Sequence, residues 1–239
     1  MAIYGSSYGG WFLPTNVSLD TSSVVISVGV GEDISFDLAV QSKFGSNVYL
    51  FDPTERAQTH YNEVVEFYKQ KPTQAKFSGD IQPDYLPTIS KLTPVPDMSK
   101  IHMEPLGLWL KEDTVKFYKQ TNPKYVSQTI VPNMFGQEYT LAKMDRLSSI
   151  LDKKGLSKTN IALMKMDIEG AELDVLDTLL EDKIYPKILC VEFDYLLKGQ
   201  DTTNRTNMTI QRLKDVGYSI LYNKQWNIVF EHTPSVIAP

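Results

Sequence analysis

Cysteine is almost missing from this sequence. One residue, Cys190, occurs in 239, so no disulfide can close within the chain and no cysteine-based zinc site can form. It lies in the apolar run Ile188-Leu189-Cys190-Val191, which predicts a buried, inert thiol. Long apolar runs are missing too: none approaches the ~18 residues that span a bilayer. Residues 1–10 hold neither a basic cluster nor an apolar core, so they do not read as a secretory signal. Without one, the sequons at Asn16, Asn204 and Asn207 are expected to be accidental, and the expected location is cytoplasmic. Positive charge is not in excess. Lys plus Arg is 24 and Asp plus Glu is 29, a net charge of 24 − 29 = −5. Proteins that neutralise many phosphates carry a basic face, and the densest basic spots here are as short as Lys153-Lys154. Nucleic acid is not an expected partner.

What is present is ordinary globular material, 42% apolar and 22% charged, which sets disorder and low complexity aside. The length fits a single domain over residues 1–239. Strand and helix patterns alternate along it. Val24–Val28 and Val48–Phe51 read as short buried strands. A helix is expected from about Asp33 to Phe44, capped by Gly45, and another beyond Pro53, ended by Pro72. Five prolines between 72 and 97 predict a long loop outside the core. Strand signals resume at Ile101–Glu104, with a hairpin expected between about Leu108 and Tyr118. A helix near 145–154, a strand at Ile161–Met166, a helix through Leu173, Leu176 and Leu180, and a strand at Ile188–Val191 follow. A helix near Thr209–Val216 and an antiparallel pair turning at Asn223-Lys224 close the series. The fold class is therefore α/β, with a doubly wound, mostly parallel sheet. Such sheets bind ligands beyond the carboxyl ends of their strands.

The chemistry sits at those ends. The first strand runs into Gly29-Val30-Gly31-Glu32-Asp33, where glycines permit a tight turn and close approach to a ligand. Asp52 ends the second strand, a position from which a carboxylate accepts hydrogen bonds from ribose hydroxyls. Together they point to an adenosine-bearing ligand. The dinucleotide fingerprint asks for a third small residue where Ile34 stands, and Glu32 and Asp33 would repel a pyrophosphate while welcoming an ammonium group. A nicotinamide-dependent oxidoreductase is thus the weaker alternative. In Lys165-Met166-Asp167-Ile168-Glu169-Gly170-Ala171-Glu172, Lys165 and Asp167 share a strand face. Asp167 ends a buried strand and needs a partner there, a ligand or a metal. Glu192 and Asp194 end the neighbouring strand, with Lys165 a potential counter-ion to Glu192.

With these residues the chain resembles the FkbM family of class I methyltransferases that use S-adenosylmethionine. The segment from Lys165 to Glu172 is similar to that family's most distinctive motif, and Val28–Asp37, Phe51-Asp52-Pro53 and Tyr8-Gly9-Gly10-Trp11 resemble one branch of it. The resemblance implies a seven-stranded sheet with a C-terminal antiparallel strand pair, and methyl transfer, most often to oxygen of a sugar, glycan or natural product. It implies that Gly29 and Gly31 approach the methionine part of the cofactor, that Asp52 with Pro53 holds the ribose end, and that Met103, Glu104 and Leu106 lie beside the adenine. Ser27 stands where many class I enzymes have an acid, a role Glu32 or Asp33 can take over. A catalytically silent relative that only binds the adenosyl ligand is the other reading.

Methyl transfer from a sulfonium needs alignment of donor and acceptor. An alcohol acceptor must also lose its proton, to a general base or through a divalent ion such as magnesium or manganese. Asp167 is the expected base, assisted by Glu192 or Asp194, with His102 as a rival; Asp167, Glu192 and Asp194 would be the ligands of an ion. Tyr8, Trp11 and Phe12 read either as a flap or sugar platform or as a hydrophobic plug.

Overall fold

A computed structural model of the protein describes residues 1–70, 76–122, 125, 127–132, 134–197 and 204–233. Its main sheet comprises β1 (Val24–Val28), β2 (Asn47–Phe51), β3 (Ile101–Glu104), β4 (Ile161–Met166), β5 (Ile188–Glu192), β6 (Tyr218–Lys224) and β7 (Asn227–His232). Across the sheet the order is 3-2-1-4-5-7-6. Strands β1 to β5 are mutually parallel, and β7 runs against both β5 and β6. The expected doubly wound sheet with its antiparallel C-terminal pair is therefore present. The pair turns at Gln225-Trp226 rather than at Asn223-Lys224, which belong to β6.

Both faces of the sheet are covered because its strands are apolar on both sides. Val24, Ile26 and Val28 of β1 pack toward one face, while Val25 packs toward the other. Helices α1 (Ser35–Phe44), α2 (Glu55–Gln70) and α3 (Tyr85–Ser90) cover the side of Val25. Helices α4 (Leu147–Lys154), α5 (Glu172–Glu181) and α7 (Arg205–Asp215) cover the side of Ile26, and a short α6 (Asp194–Leu197) follows β5. In α1 every residue from Ser35 to Ser42 is buried, because α3 and the hairpin Ala2–Tyr4/Trp11–Leu13 close over the side facing away from the sheet. Gly45 ends α1 in the left-handed conformation, as expected. The end of α2 at Pro72 falls outside the described residues.

Two expectations are corrected here. The proline-dense stretch is not all outside the core: α3 lies within it, and Tyr85 and Ile89 are fully buried against α1. Pro87 is compatible with that helix because it sits in the first turn, where the missing N–H has no partner to lose. Tyr85 also bonds His60 at 2.7 Å, which satisfies a phenol in apolar surroundings. Second, Gly107–Leu108 and Asp113–Lys119 do not pair with each other. Both pair with Tyr139–Asp145, which together with Gln128–Thr129 makes a separate four-stranded sheet.

Candidate active site

The carboxyl ends of β1, β2, β4 and β5 open on one cavity of about 360 Å³, within the range of ligand pockets. The loop after β1 forms part of its floor. Gly29 adopts φ 71°, and a Cβ there would lie 1.7 Å from the Asp167 carbonyl oxygen. Only glycine lets the two strand ends cross this closely. The close approach that glycine permits is thus first of all to the neighbouring strand.

Asp52 is held firmly. One carboxylate oxygen accepts from the Thr54 amide and hydroxyl at 2.9 and 2.6 Å, and the other from the Gly31 amide at 2.9 Å. The bond to Gly31 ties the end of β2 to the glycine loop, and both line the cavity together with Pro53.

Asp167 lines the same cavity, with its side chain 34% exposed. Burial of its surroundings raises its proton affinity well above the usual carboxylate range, and the Glu192 carboxylate raises it further. Lys165 opposes this from 4.0 Å, while its ammonium donates to the Gly29 carbonyl at 3.1 Å. Lys165 therefore bonds the glycine loop and lies within ion-pair reach of Asp167. Beneath it lie Ser27 and Asp37, both buried, and desolvation pushes Asp37 up to about 6.

Glu169 has φ 54°, a left-handed conformation that costs an L-residue about 1–2 kcal/mol. Its carbonyl accepts from the Thr129 hydroxyl at 2.5 Å, which fixes the turn on the second sheet. Glu172 is fully buried and bridges two loops, accepting from the Gly170 amide at 2.9 Å and the Asp194 amide at 3.0 Å. Burial and the nearby Asp194 push it up to about 7. Its role is to brace the ends of β4 and β5 against each other.

Several residues singled out in the sequence have other partners. Glu32 borders the cavity, yet both its oxygens bond the Arg56 guanidinium, at 2.7 and 2.6 Å. Asp33 accepts from the Ser6 hydroxyl at 2.5 Å and from the Ser35 amide at 2.9 Å, which anchors the N-terminal hairpin. Ser27 lies under the floor and is not among the lining residues. His102 stacks on Tyr49 with centroids 4.9 Å apart and does not line the cavity. Met103 packs on the α2 face. Glu104 bonds Lys154 at 2.5 Å, and with Leu106 it borders a separate hollow beside α4. Met103, Glu104 and Leu106 do not line the cavity, whose lining includes the apolar side chains of Phe51, Leu108, Phe117 and Met144. Phe117 and Met144 come from the second sheet, whose interrupted strands carry no local signal of a binding role. Trp226 and Asn227, at the start of β7, were also missed.

Residues 14–220 match the Methyltransferase FkbM domain. The chain belongs to that family. The match covers all the motif segments from the glycine loop to Glu192, so this protein is a methyltransferase by membership. A solved structure, the Methanococcus jannaschii fibrillarin pre-rRNA processing protein, superposes with a TM-score of 0.40 at 9% identity, covering 90% of this chain and 69% of that one. No curated protein matches. The nicotinamide alternative falls with the family assignment.

The ion-binding set is not assembled in this FkbM protein. Asp194 is buried away from the cavity lining. Among the described residues, no three His, Cys, Asp or Glu side chains form a group able to hold a metal. The donor set does not fit a divalent ion. Among those residues, too, no helix is long and apolar enough to cross a membrane.

Proposed function

We propose that this protein transfers the methyl group of S-adenosylmethionine to a hydroxyl of a sugar, glycan or similar small molecule, with Asp167 as general base. The observation that carries this reading is the position of Asp167: at the end of β4, open to the cavity, beside Glu192 and against the glycine loop. Burial and the Glu192 carboxylate raise its proton affinity, which makes it a stronger base than an ordinary carboxylate.

The cavity supports the donor as well. Among the described residues, the lining side chains include six acids (Glu32, Asp33, Asp52, Asp167, Glu169 and Glu192), of which Glu32 is paired with Arg56, against one base, Lys165. A net cationic sulfonium compound is favoured in that field, and an anionic dinucleotide is not. S-adenosylmethionine, when bound, supplies the electrophilic methyl. The Gly29–Gly31 backbone and Asp52 are the groups of this chain that would hold it, Asp52 at the ribose. Asp167 would orient the acceptor hydroxyl and take its proton, and Glu192 would hold Asp167 ready by disfavouring its charge. The walls would exclude water, which otherwise competes for the methyl group.

Calorimetry with S-adenosylmethionine, S-adenosylhomocysteine and NAD tests the donor, and Asp167→Asn tests the base. Binding of both adenosyl compounds without NAD is expected, and Asp167→Asn should abolish turnover while leaving donor affinity within a few-fold. Full activity of that variant refutes the role of Asp167. Donor binding by the unaltered protein without turnover on any hydroxylated acceptor would favour the silent relative.

A further inference from the structure

We propose that the loop Tyr8–Trp11 and the pair Trp226-Asn227 form the acceptor subsite, with Tyr8 positioning the acceptor over Asp167. This rests on the methyltransferase reading and adds the residues that select the substrate. Both segments line the cavity, and both lie outside residues 14–220, the stretch matched by the family model. They come from opposite ends of the chain and meet at the same carboxylates. Asn227 pairs in register with Glu192, and the Trp226 carbonyl accepts from the Phe193 amide at 2.9 Å. The Tyr8 phenol lies in the field of Asp167, Glu169 and Glu192.

The loop is built to hold Tyr8 in place. The Ser6 hydroxyl donates to Asp33 and accepts from the Gly9 amide at 2.9 Å. The Ser6 amide donates to the Ser35 hydroxyl at 2.7 Å, and the Ser7 amide to Asp84 at 2.7 Å. A Cβ on Gly9 would collide with the Asp33 carboxylate at 2.6 Å, so the loop lies directly on the first turn of the donor side. The neighbours of Tyr8 are accounted for by packing. Trp11 is 6% exposed and joins the core, and Phe12 stacks on Tyr222 with centroids 4.7 Å apart. Tyr8 is left 65% exposed at the end of this network. A large aromatic displayed on a pinned loop at a cavity mouth has no packing purpose and fits ligand contact.

The chemistry points to a neutral, hydroxyl-rich acceptor with an apolar ring face. Tyr8 and Trp226 offer rings to that face, and the carboxylates accept from its hydroxyls. Anionic acceptors are repelled by the same carboxylates. Tyr8 itself is no base at neutral pH: its phenol is pushed up to about 12, and it acts as a hydrogen-bond donor.

Saturation-transfer NMR on the full chain with S-adenosylhomocysteine and a mixture of methyl glycosides tests this, beside calorimetry of S-adenosylhomocysteine alone. The unaltered protein should pass saturation to glycoside ring protons. Tyr8→Ala and Trp226→Ala should each weaken this at least tenfold, and Tyr8→Phe several-fold, all with S-adenosylhomocysteine affinity within twofold. Unchanged glycoside signals in both alanine variants overturn the proposal. So does a parallel loss of S-adenosylhomocysteine affinity, or an unaltered protein that binds S-adenosylhomocysteine and no glycoside. An unaltered protein that binds no S-adenosylhomocysteine refutes the underlying donor reading instead. Because Tyr8 is exposed, Tyr8→Ala keeps the test open even if Trp226→Ala fails to fold.

Discussion

Replacing Gly29 by alanine separates two costs that glycine substitutions normally mix. Gly29 and Gly155 have nearly the same backbone, φ 71° and 66°, both in the left-handed region. A methyl group on Gly155, just past α4, would meet nothing within 4 Å, whereas on Gly29 it would lie 1.7 Å from the Asp167 carbonyl oxygen and 2.8 Å from its carbon. Gly155→Ala therefore loses only the conformational term, about 1 kcal/mol. In a chain of this size that is a fall in Tm of about 2–4 °C. Gly29→Ala adds an overlap of more than 1 Å with backbone, relieved only by parting β1 from the end of β4. Parting them also breaks the Lys165 bond to the Gly29 carbonyl. A loss above about 3 kcal/mol is expected, or roughly 6–12 °C at the same conversion. Thermal and urea unfolding of the two variants side by side measure the difference. Calorimetry on Gly29→Ala at a temperature where it is still folded should find donor binding weakened at least tenfold. Equal destabilisation of the two variants would refute the argument, because it would mean that the strand ends do not cross as closely as described.

Other perturbations follow from the buried charges. Asp37 is raised from its ordinary range to about 6, so the folded protein prefers it protonated; its contribution is fully present below about pH 4 and is lost as pH rises through 6. Urea unfolding of Asp37→Asn should show a flatter stability profile between pH 4 and 6 than the unaltered protein, and an unchanged slope would exclude Asp37 as its source. Lys165 favours the ionised form of Asp167 from 4.0 Å. Lys165→Met should accordingly move the acidic limb of the turnover–pH profile to higher pH, and a shift to lower pH would contradict the pairing. Arg56→Met leaves the Glu32 carboxylate, 8% exposed, without its guanidinium. The expected cost is about 1–3 kcal/mol by denaturant melt, below that of a fully buried pair because Arg56 is 31% exposed.

Much of the frame is readable from local pattern. The runs Val24–Val28, Val48–Phe51, Ile161–Met166 and Ile188–Val191 are too short for buried helices and too apolar for surface strands, and each ends in a glycine or an acid. The positions of Gly29, Asp52 and Asp167 at strand ends follow directly. Which acid faces a ligand is a different matter, because it depends on partners remote in sequence. Glu32 meets Arg56, Asp33 meets Ser6, and Glu104 meets Lys154. Nothing at positions 32, 33 or 104 announces those pairings. The second sheet is illegible for the same reason: Asp113–Lys119 finds its partner in Tyr139–Asp145, with residues 120–138 between them. Tyr85 and Ile89 were hidden by proline density, which marks irregular backbone but does not say whether that backbone is covered.

The order in which the cavity walls leave the ribosome has a consequence for when the protein becomes competent. The glycine loop, Asp52 and Asp167 are all synthesised before β5, and the sheet order lets β1, β2 and β4 pair without any later segment. The strand that carries Asn227 is the latest of the seven to emerge, and it must enter between β5 and β6 rather than add to an edge. The side of the cavity built from Gly29, Asp52 and Asp167 can thus assemble on a nascent chain that still lacks Trp226, and the wall that carries Trp226 closes only when β7 docks. Any chain stalled or clipped before that strand would retain the family's motifs and yet lack the cavity wall formed by Trp226 and Asn227.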